Sequence, residues 1–144
     1  MIKFMLPIGI AGTDYLVKKH RDENQGTSYK LNEHVKILTY HNKGAFLNLG
    51  QKRPALVMLL SAIMTAVLTV VFAVTFTFKG KKLLKLGLGM LLGGAFSNSY
   101  DRISKGYVVD YLNFPKAPGL IRNVIFNLSD FAIIIGAFIS ACSI

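Results

Sequence analysis

The chain has 144 residues, a length that allows one domain, and we predict a single domain over residues 1–144. Hydrophobic residues make up 52% of it and its mean hydropathy is +0.44, values that argue against a soluble domain. The net charge of +10 does not indicate a nucleic-acid partner, because lysine and arginine in loops also meet the anionic headgroups of membrane lipid.

Apolar residues are concentrated in four runs along the chain, and a helix needs only about 20 of them to cross a bilayer. The runs are residues 4–17, 54–78, 83–99 and 123–144. The second run contains no charge, the third contains only Lys85, and the fourth contains only Asp130. The sequence therefore predicts a mainly α fold, an integral membrane bundle of four transmembrane helices.

The first run is the weakest, because Asp14 interrupts it, and it has a second interpretation. Lys3 followed by apolar residues 4–11 also fits a cleavable signal peptide. Asp14 and Lys18, however, lie four residues apart on one face of a helix, where they can form an ion pair. A signal peptide that is cleaved off would not need such an ion pair, so we favour an uncleaved first helix.

The segment between the first two runs predicts a small β hairpin at the membrane surface. β-branched residues alternate over residues 35–40, the turn-forming residues 42–44 follow, and residues 45–47 are apolar again. The preceding residues 22–32 are polar and predict a loop.

The histidines do not have the spacing of a helical metal motif, so we expect solvated loop histidines, no metal site and no cofactor. They are His20, His34 and His41.

Basic residues bear on the orientation of the chain in the membrane. Four lysines crowd residues 79–85, the link between the second and third runs, and the positive-inside rule places such a link in the cytoplasm. Both termini would then be cytoplasmic, with residues 18–53 and 100–122 on the outer side. Residues 18–53 themselves hold eight Lys and Arg, so charge counting alone leaves the orientation open.

Acidic residues are few, and after Glu33 only Asp101, Asp110 and Asp130 remain. Asp130 lies about seven residues, or roughly 10 Å, into the fourth run if that run is one helix. An ionised aspartate at such a depth costs about 2.5–3.5 kcal/mol on insertion scales, which indicates either a function or an ion pair that holds helices together. The cations available for such a pair are Arg102, Lys105 and Arg122.

The spacing around these acids predicts a shared polar pocket. Residues 106–110 have the pattern of a turn glycine followed by a short strand that ends in a carboxylate. Asn127 and Asp130 lie three apart on one helix face, and Asn98 and Asp101 repeat that spacing. Two carboxylates held together in a poorly solvated site share one proton, so one acts as base and the other as acid, as in an aspartic protease.

Five motifs together resemble signal peptidase II, the lipoprotein signal peptidase family of bacteria. They are the pair Asp14 and Lys18 and residues 42–46, 93–102, 106–111 and 126–130. The resemblance implies a membrane aspartic endopeptidase of the bacterial cytoplasmic membrane, with both termini cytoplasmic and the active site near the extracytoplasmic face. Its substrate would be a diacylglyceryl-modified prolipoprotein, cut just before the lipidated cysteine, and we expect the enzyme to act as a monomer.

The resemblance also assigns roles to residues. Asp110 and Asp130 would be the catalytic dyad. The residues expected to line the pocket and contact the substrate are Asn42, Asn98, Arg102 and Asn127. The residues expected to support them are Asp14, Lys18, Gly44 and Asp101.

Two positions depart from the family pattern, which usually has Gly where Ser97 stands and Ala where Ser129 stands. We expect the added hydroxyl of Ser129 to hydrogen-bond a dyad carboxylate and lower its pKa. Two other function classes are consistent with part of the sequence. A small transporter or proton-relay subunit would use Asp130 but leaves Asp110 unexplained, and the presence of both aspartates disfavours an inactive relative that binds lipoproteins.

Overall fold

A computed structural model describes residues 4–144, so Lys3 and the charged part of the alternative signal peptide lie outside the described residues. The helices are α1 Met5–Glu23, α2 Pro54–Val74, α3 Lys82–Lys105 and α4 Leu128–Cys142. The strands are β1 Tyr29–Lys30, β2 Lys36–Asn42, β3 Val108–Asn113 and β4 Ile125–Phe126. Short 3-10 turns cover Phe46–Asn48, Thr75–Thr77 and Gly119–Asn123. The predicted class, mainly helical with a small antiparallel sheet, is confirmed.

Helix α3 is the centre of the bundle and packs against each of the other three helices. Glycines on its surface let the neighbouring backbones approach closely, as small residues do in membrane helix pairs. A Cβ atom on Gly136 of α4 would lie 2.5 Å from the carbonyl oxygen of Gly87, and one on Gly94 would overlap the carbonyl oxygen of Ser129. This close α3–α4 contact brings the first turn of α4 against the polar end of α3.

The outer surface of the bundle is strongly apolar. Within residues 4–144, one helical segment, Pro54–Thr77, is by itself long and apolar enough to cross a membrane, with a mean hydropathy of 2.6. Only 17% of its most apolar stretch is buried inside the protein, so most of its side chains face outward. Helix α4 is also apolar but has only 15 residues. A surface of this kind requires an apolar surrounding, as a bilayer provides.

The sheet differs from the predicted hairpin. Its order is β1-β2-β3-β4, all antiparallel, and β2 pairs with β3 rather than with residues 45–47. Residues 46–48 instead form a 3-10 turn in which Leu47 and Asn48 have φ values of 57° and 59°. The hairpin over residues 35–47 was therefore wrong, because the chain turns away after β2 and the vacant edge is filled by a strand more than 60 residues further on.

Three boundaries also differ from the sequence pattern. The expected loop over residues 22–32 begins with the end of α1 and contains β1. The expected strand before Tyr111 exists, but Asp110 lies at its middle rather than its end. Helix α4 begins at Leu128, because β4 takes up residues 125–126, so Asp130 is the third residue of the helix instead of lying a further turn inside it.

Candidate active site

Asp110 and Asp130 meet where the sheet joins the helical bundle. Strand β3 pairs with β4, and α4 follows β4 after a single residue, Asn127, so the two acids are brought together by a short connection. The backbone N–H of Asn127 donates to Asp130 Oδ2 at 2.9 Å, and its side-chain Nδ2 donates to Asp110 Oδ1 at 2.8 Å. One buried residue thus holds both carboxylates, and the predicted juxtaposition of the pair is present.

Two further asparagines complete the hydrogen bonding of the pair. Asn42 Nδ2, at the end of β2, donates to Asp110 Oδ2 at 3.0 Å. Asn98 Nδ2, on α3, donates to Asp130 Oδ1 at 3.0 Å. Every oxygen of the two carboxylates therefore accepts a bond from a neutral amide, and the acids are fixed in place by donors that do not neutralise them.

The position of Asp110 on a buried strand affects its ionisation. Burial, together with the negative charge of Asp130, raises the pKa of the Asp110 carboxyl to about 7, against the opposing effect of the Asn42 and Asn127 amides. A carboxylic acid with a pKa near neutrality keeps its proton through much of the physiological range. The pair can therefore hold one proton at neutral pH, as general acid–base chemistry requires.

Asp130 has a different local setting, the N-terminus of a helix. Asn127 is the N-cap of α4, its Oδ1 accepts from the Asp130 N–H at 2.9 Å, and the Asp130 carboxylate accepts from the Asn127 N–H. This reciprocal capping box satisfies two backbone donors that a helix start otherwise leaves free. Asn127 and Asp130 were predicted to lie on one helix face, but they cap the start of the helix together.

The expected supporting residues form a second buried cluster beside the pair. Lys18 Nζ lies 2.8 Å from Asp14 Oδ2, so the predicted ion pair on α1 is formed. The same ammonium donates to Asn98 Oδ1 at 2.8 Å and lies 3.5 Å from Asp101 Oδ2. Asp101 in turn accepts from the backbone N–H of Val109 at 3.2 Å, which ties α3 to β3 next to Asp110.

Arg102 and Gly44 contact each other rather than the acids. Arg102 Nη2 donates to the carbonyl oxygen of Gly44 at 2.9 Å. Gly44 has no room for a side chain, since a Cβ atom there would lie 2.7 Å from the backbone carbon of Asn48. Within residues 4–144, no lysine or arginine forms an ion pair with Asp130. The alternative interpretation of Asp130, an ion pair that holds helices together, is therefore wrong.

Tyr111 was not among the predicted site residues, and Ser129 was predicted to contact a different group. The Tyr111 hydroxyl donates to Asp14 Oδ1 at 2.8 Å and accepts from the Leu128 N–H at 3.0 Å, which joins α1, β3 and the start of α4. Ser129 was expected to bond a dyad carboxylate, but its hydroxyl donates to Asp14 Oδ2 at 2.5 Å, because it lies on the face of α4 that meets α1. The tyrosine next to Asp110 in the predicted strand was the available signal, since the hydroxyl of a buried tyrosine needs a partner.

His41 was expected to be a solvated loop histidine and is not. It lies on β2 with its Nε2 atom 2.7 Å from Asp22 Oδ1, and its ring stacks on Tyr107 with 3.9 Å between centroids. This cluster is on the side of the sheet away from the two acids.

Two cavities meet at the pair of acids and differ in character. The larger, about 740 Å³, is bordered by Asn98, Arg102 and Asp130 at one end. Its walls are apolar side chains of α2, α3 and α4, among them Leu56, Leu60, Met64, Leu91 and Ile133. The smaller, about 290 Å³, is bordered by Asp110 and Asn42 and by polar residues of the surrounding loops, among them Asn48 and Asn123. The two carboxylates thus lie between an apolar groove in the bundle and a more polar cavity beside the sheet.

The fold is similar to those of two solved structures. Two solved structures described as bacterial membrane enzymes, determined by the in meso method at 2.3 Å and 1.9 Å, are similar to it with TM-scores of 0.84 and 0.75. Each is 19% identical in sequence and covers 99% of this chain, and the chain covers 86% and 91% of them. At this identity the likeness establishes the fold alone.

The sequence identifies the family. The profile of the family described as signal peptidase (SPase) II matches residues 7–144. Lipoprotein signal peptidases of Halothermothrix orenii, Pelotomaculum thermopropionicum and Brevibacillus brevis are 36%, 35% and 36% identical over 69%, 81% and 86% of this chain. The chain spans 63%, 72% and 78% of their respective lengths.

The chain belongs to the signal peptidase II family, whose members are aspartic-type enzymes that remove the signal peptides of prolipoproteins. The resemblance found in the sequence is confirmed. A transporter or proton-relay function is set aside on the same ground.

Proposed function

We propose that this chain is an aspartic endopeptidase of the bacterial cytoplasmic membrane that cleaves diacylglyceryl-modified prolipoproteins just before the lipidated cysteine. The observation that carries the proposal is the bridge through Asn127, which holds the carboxyl groups of Asp110 and Asp130 side by side. The pair borders an apolar groove that suits a lipid-modified substrate. The amides that donate to the pair hold its carboxyl groups in place without neutralising them, so the two acids remain able to exchange protons with a water molecule.

In the proposed arrangement all four helices cross the membrane, and the sheet lies at the extracytoplasmic face. Two observations support it. The lysines of residues 79–85 lie just before and at the start of α3, whereas Asn98, which donates to Asp130, lies near its end. The basic link and the site are therefore at opposite ends of the bundle. Helix α4 has 15 residues, or about 22 Å, against a hydrocarbon core of about 30 Å, so its first turn would lie below the outer surface when its end is at the inner one.

We assign the base to Asp130 and the acid to Asp110 in the resting enzyme. The N-terminus of α4 and the Asn127 backbone N–H stabilise a negative charge on Asp130, whereas Asp110 lies on a strand and has no helix dipole to do so. The raised pKa of Asp110 is consistent with its holding the shared proton. Because the two groups titrate as a pair, the assignment refers to the predominant state rather than to separate titrations.

The reaction then proceeds with a water molecule between the two carboxyl groups. Asp130 takes a proton from the water as its oxygen attacks the scissile carbonyl carbon, and Asp110 gives its proton to the carbonyl oxygen. In the tetrahedral intermediate the C–N bond breaks, Asp130 passes its proton to the leaving nitrogen, and the hydroxyl proton returns to Asp110. Asn42, Asn98 and Asn127 hold the carboxylates in position throughout, so little reorganisation accompanies the charge movement.

The two cavities suggest how the substrate lies across the dyad. The apolar groove beside Asp130 suits the signal peptide and the acyl chains of the modified cysteine, with Arg53 and Arg102 at its polar end. The more polar cavity beside Asp110 suits the residues that follow the cysteine. A cysteine held by its lipid at headgroup depth would present the bond before it at the junction of the two cavities.

Cleavage of a purified, diacylglyceryl-modified precursor, followed as a gel shift, tests the proposal. Wild-type protein should release the signal peptide, and the same precursor without its lipid should remain intact. Asp110→Asn and Asp130→Asn should each abolish the shift while the protein still inserts and folds. Asp22→Asn is the matched control, since Asp22 lies near the end of α1 and contacts His41 and Lys105 rather than the pair, and it should retain activity. Cleavage by both dyad variants would overturn the proposal.

A further inference from the structure

Two hydroxyls from different helices converge on one carboxylate oxygen beside the dyad. Ser97 of α3 donates to Asp14 Oδ2 at 2.8 Å, and Ser129 of α4 donates to the same atom at 2.5 Å. All three residues are buried, and Asp14 and Ser129 have no exposed surface. Both serines therefore place a hydroxyl donor on the same atom, and they come from two different helices.

The carboxylate that they contact is fully enclosed and needs several donors. A buried carboxylate is costly unless it is paired and hydrogen-bonded. Asp14 receives the Lys18 ammonium at 2.8 Å on Oδ2 and the Tyr111 hydroxyl at 2.8 Å on Oδ1, in addition to the two serines. The serines therefore complete the coordination of Oδ2 and fix the side chain of Asp14 between α1, α3 and α4.

Lys18 transmits this constraint toward the dyad. An ammonium group has three N–H donors, and those of Lys18 are directed to Asp14 Oδ2, to Ser97 Oγ at 2.9 Å and to Asn98 Oδ1 at 2.8 Å. The bond to Asn98 Oδ1, together with a second one from Asn127 Nδ2 at 3.1 Å, determines which way the Asn98 amide faces. With its oxygen on Lys18, the amide turns its Nδ2 to Asp130 Oδ1 at 3.0 Å.

We infer that Ser97 and Ser129 are positioning residues for the dyad, which act through Asp14, Lys18 and Asn98 to keep an amide donor on Asp130. The inference rests on the proposed peptidase function. Without the hydroxyls, Lys18 has Asp101 Oδ2 as an alternative acceptor at 3.5 Å, and its hold on Asn98 weakens. If the Asn98 amide turned its oxygen to Asp130, the ionised carboxylate would lose a donor and bind a second proton more readily.

The effect has a distinct signature in the pH dependence of turnover. Charged groups interact with Asp130 from the elements packed against it: Asp110 on β3, Asp14 and Lys18 on α1, and Arg102 on α3. Asp101, also on α3, faces Lys18. The serine substitutions remove none of these charged groups, and in the proposed route they reach Asp130 through Lys18 and the Asn98 amide. The acidic limb of the kcat profile should therefore move to higher pH, which a loss of packing alone would not produce.

Ser97→Ala, Ser129→Ala and the double variant test the inference in the precursor-cleavage assay. Each single variant should lower kcat by roughly fivefold, the effect of about one hydrogen bond, with KM within twofold of wild type. The acidic limb of kcat should move to higher pH in each. Ser140→Ala is the matched control, because this buried serine of α4 bonds only the Gly136 carbonyl oxygen, far from the site, and it should keep the wild-type profile.

A double-mutant cycle with Asn98→Ala identifies the route. In that background the serine substitutions should cost no further activity, because the amide through which they act is gone. Where Asn98→Ala has no measurable turnover, the acidic limb of the single serine variants decides alone. Serine variants that cleave like wild type, or that lose activity without any movement of the acidic limb, would overturn the inference. A wild-type protein that does not cleave the precursor would overturn the proposed function as well.

Discussion

Two buried aspartate clusters lie side by side in this protein, and they are built in opposite ways. Asp14 is fully enclosed and receives an ammonium group and three hydroxyls. Asp110 and Asp130 receive amides, form no ion pair within residues 4–144, and border cavities. The first arrangement keeps a fixed negative charge, whereas the second leaves a proton free to move. If Asp110 and Asp130 are the catalytic pair, as proposed, burial alone does not make a carboxyl group reactive, and the kind of donor around it decides.

The largest difference between the clusters should appear in activity. Asp110→Asn removes the proton donor and should lower kcat by about 10²–10⁴, the usual contribution of general acid–base catalysis. Its thermal unfolding midpoint at pH 6 should stay close to that of wild type, because the neutral amide replaces a neutral acid. Precursor cleavage gives kcat, and thermal unfolding in the same detergent gives the unfolding midpoint. A large loss of stability in Asp110→Asn would show that Asp110, like Asp14, is needed mainly for stability.

The converse result is expected at the first cluster. Asp14→Asn leaves the Lys18 ammonium buried without its carboxylate, and breaking a buried pair in this way costs about 3–5 kcal/mol of unfolding free energy. In chemical unfolding, Asp14→Asn should therefore have a lower unfolding free energy than Asp110→Asn. At a temperature at which both variants are folded, Asp14→Asn should be the more active of the two. Equal stabilities would show that Asp14 is not a structural charge.

The dyad should also make stability depend on pH. The folded protein raises the pKa of Asp110 from 3.8 to about 7, so it binds this proton more tightly than the unfolded chain does. The resulting stabilisation is complete below pH 3.8 and is lost as pH rises through 7, by up to about 4 kcal/mol if the group acts alone. Thermal midpoints between pH 5 and 9 should fall with rising pH in wild type and fall less in Asp110→Asn. Activity should decline over the same alkaline range, because the pair loses its shared proton.

The smallest expected effect concerns the apolar groove that borders Asp130. Leu60→Trp narrows the apolar groove and should raise KM roughly tenfold, the effect of a misfitted apolar group, with little change in kcat. Leu59→Trp is the control, because the neighbouring side chain is exposed on the outer surface of α2 and does not line the groove. Initial rates against precursor concentration separate the two constants, and equal KM values in the two variants would remove the groove from the proposed substrate path.

Much of the site was predictable because its residues occur in short local patterns. The i, i+4 spacing of Asp14 and Lys18 predicted their ion pair, and a turn glycine followed by β-branched residues predicted the strand that carries Asp110. The pairing of β2 with β3 was not predictable from periodicity, since strand patterns carry no information on a partner so distant in the chain. The start of α4 was displaced for a similar reason, because apolar residues 124–126 serve a strand as well as they would a helix.

The hydroxyls were the least predictable feature. Ser129 is adjacent to Asp130 in sequence, yet neighbouring residues on a helix point about 100° apart, so its side chain faces Asp14 of another helix. Tyr111 is adjacent to Asp110 on a strand, where successive side chains point to opposite faces, so it faces away from Asp110 and contacts Asp14. In both cases proximity in sequence was a poor guide, and the geometry of the element determined the contact.

Asn127 links the packing of α4 to the formation of the acid pair. The residue that caps the start of α4 is also the one that holds the two acids together, so the acid pair can form only when α4 has packed into the bundle. A chain truncated before Asn127 is therefore expected to show no precursor cleavage.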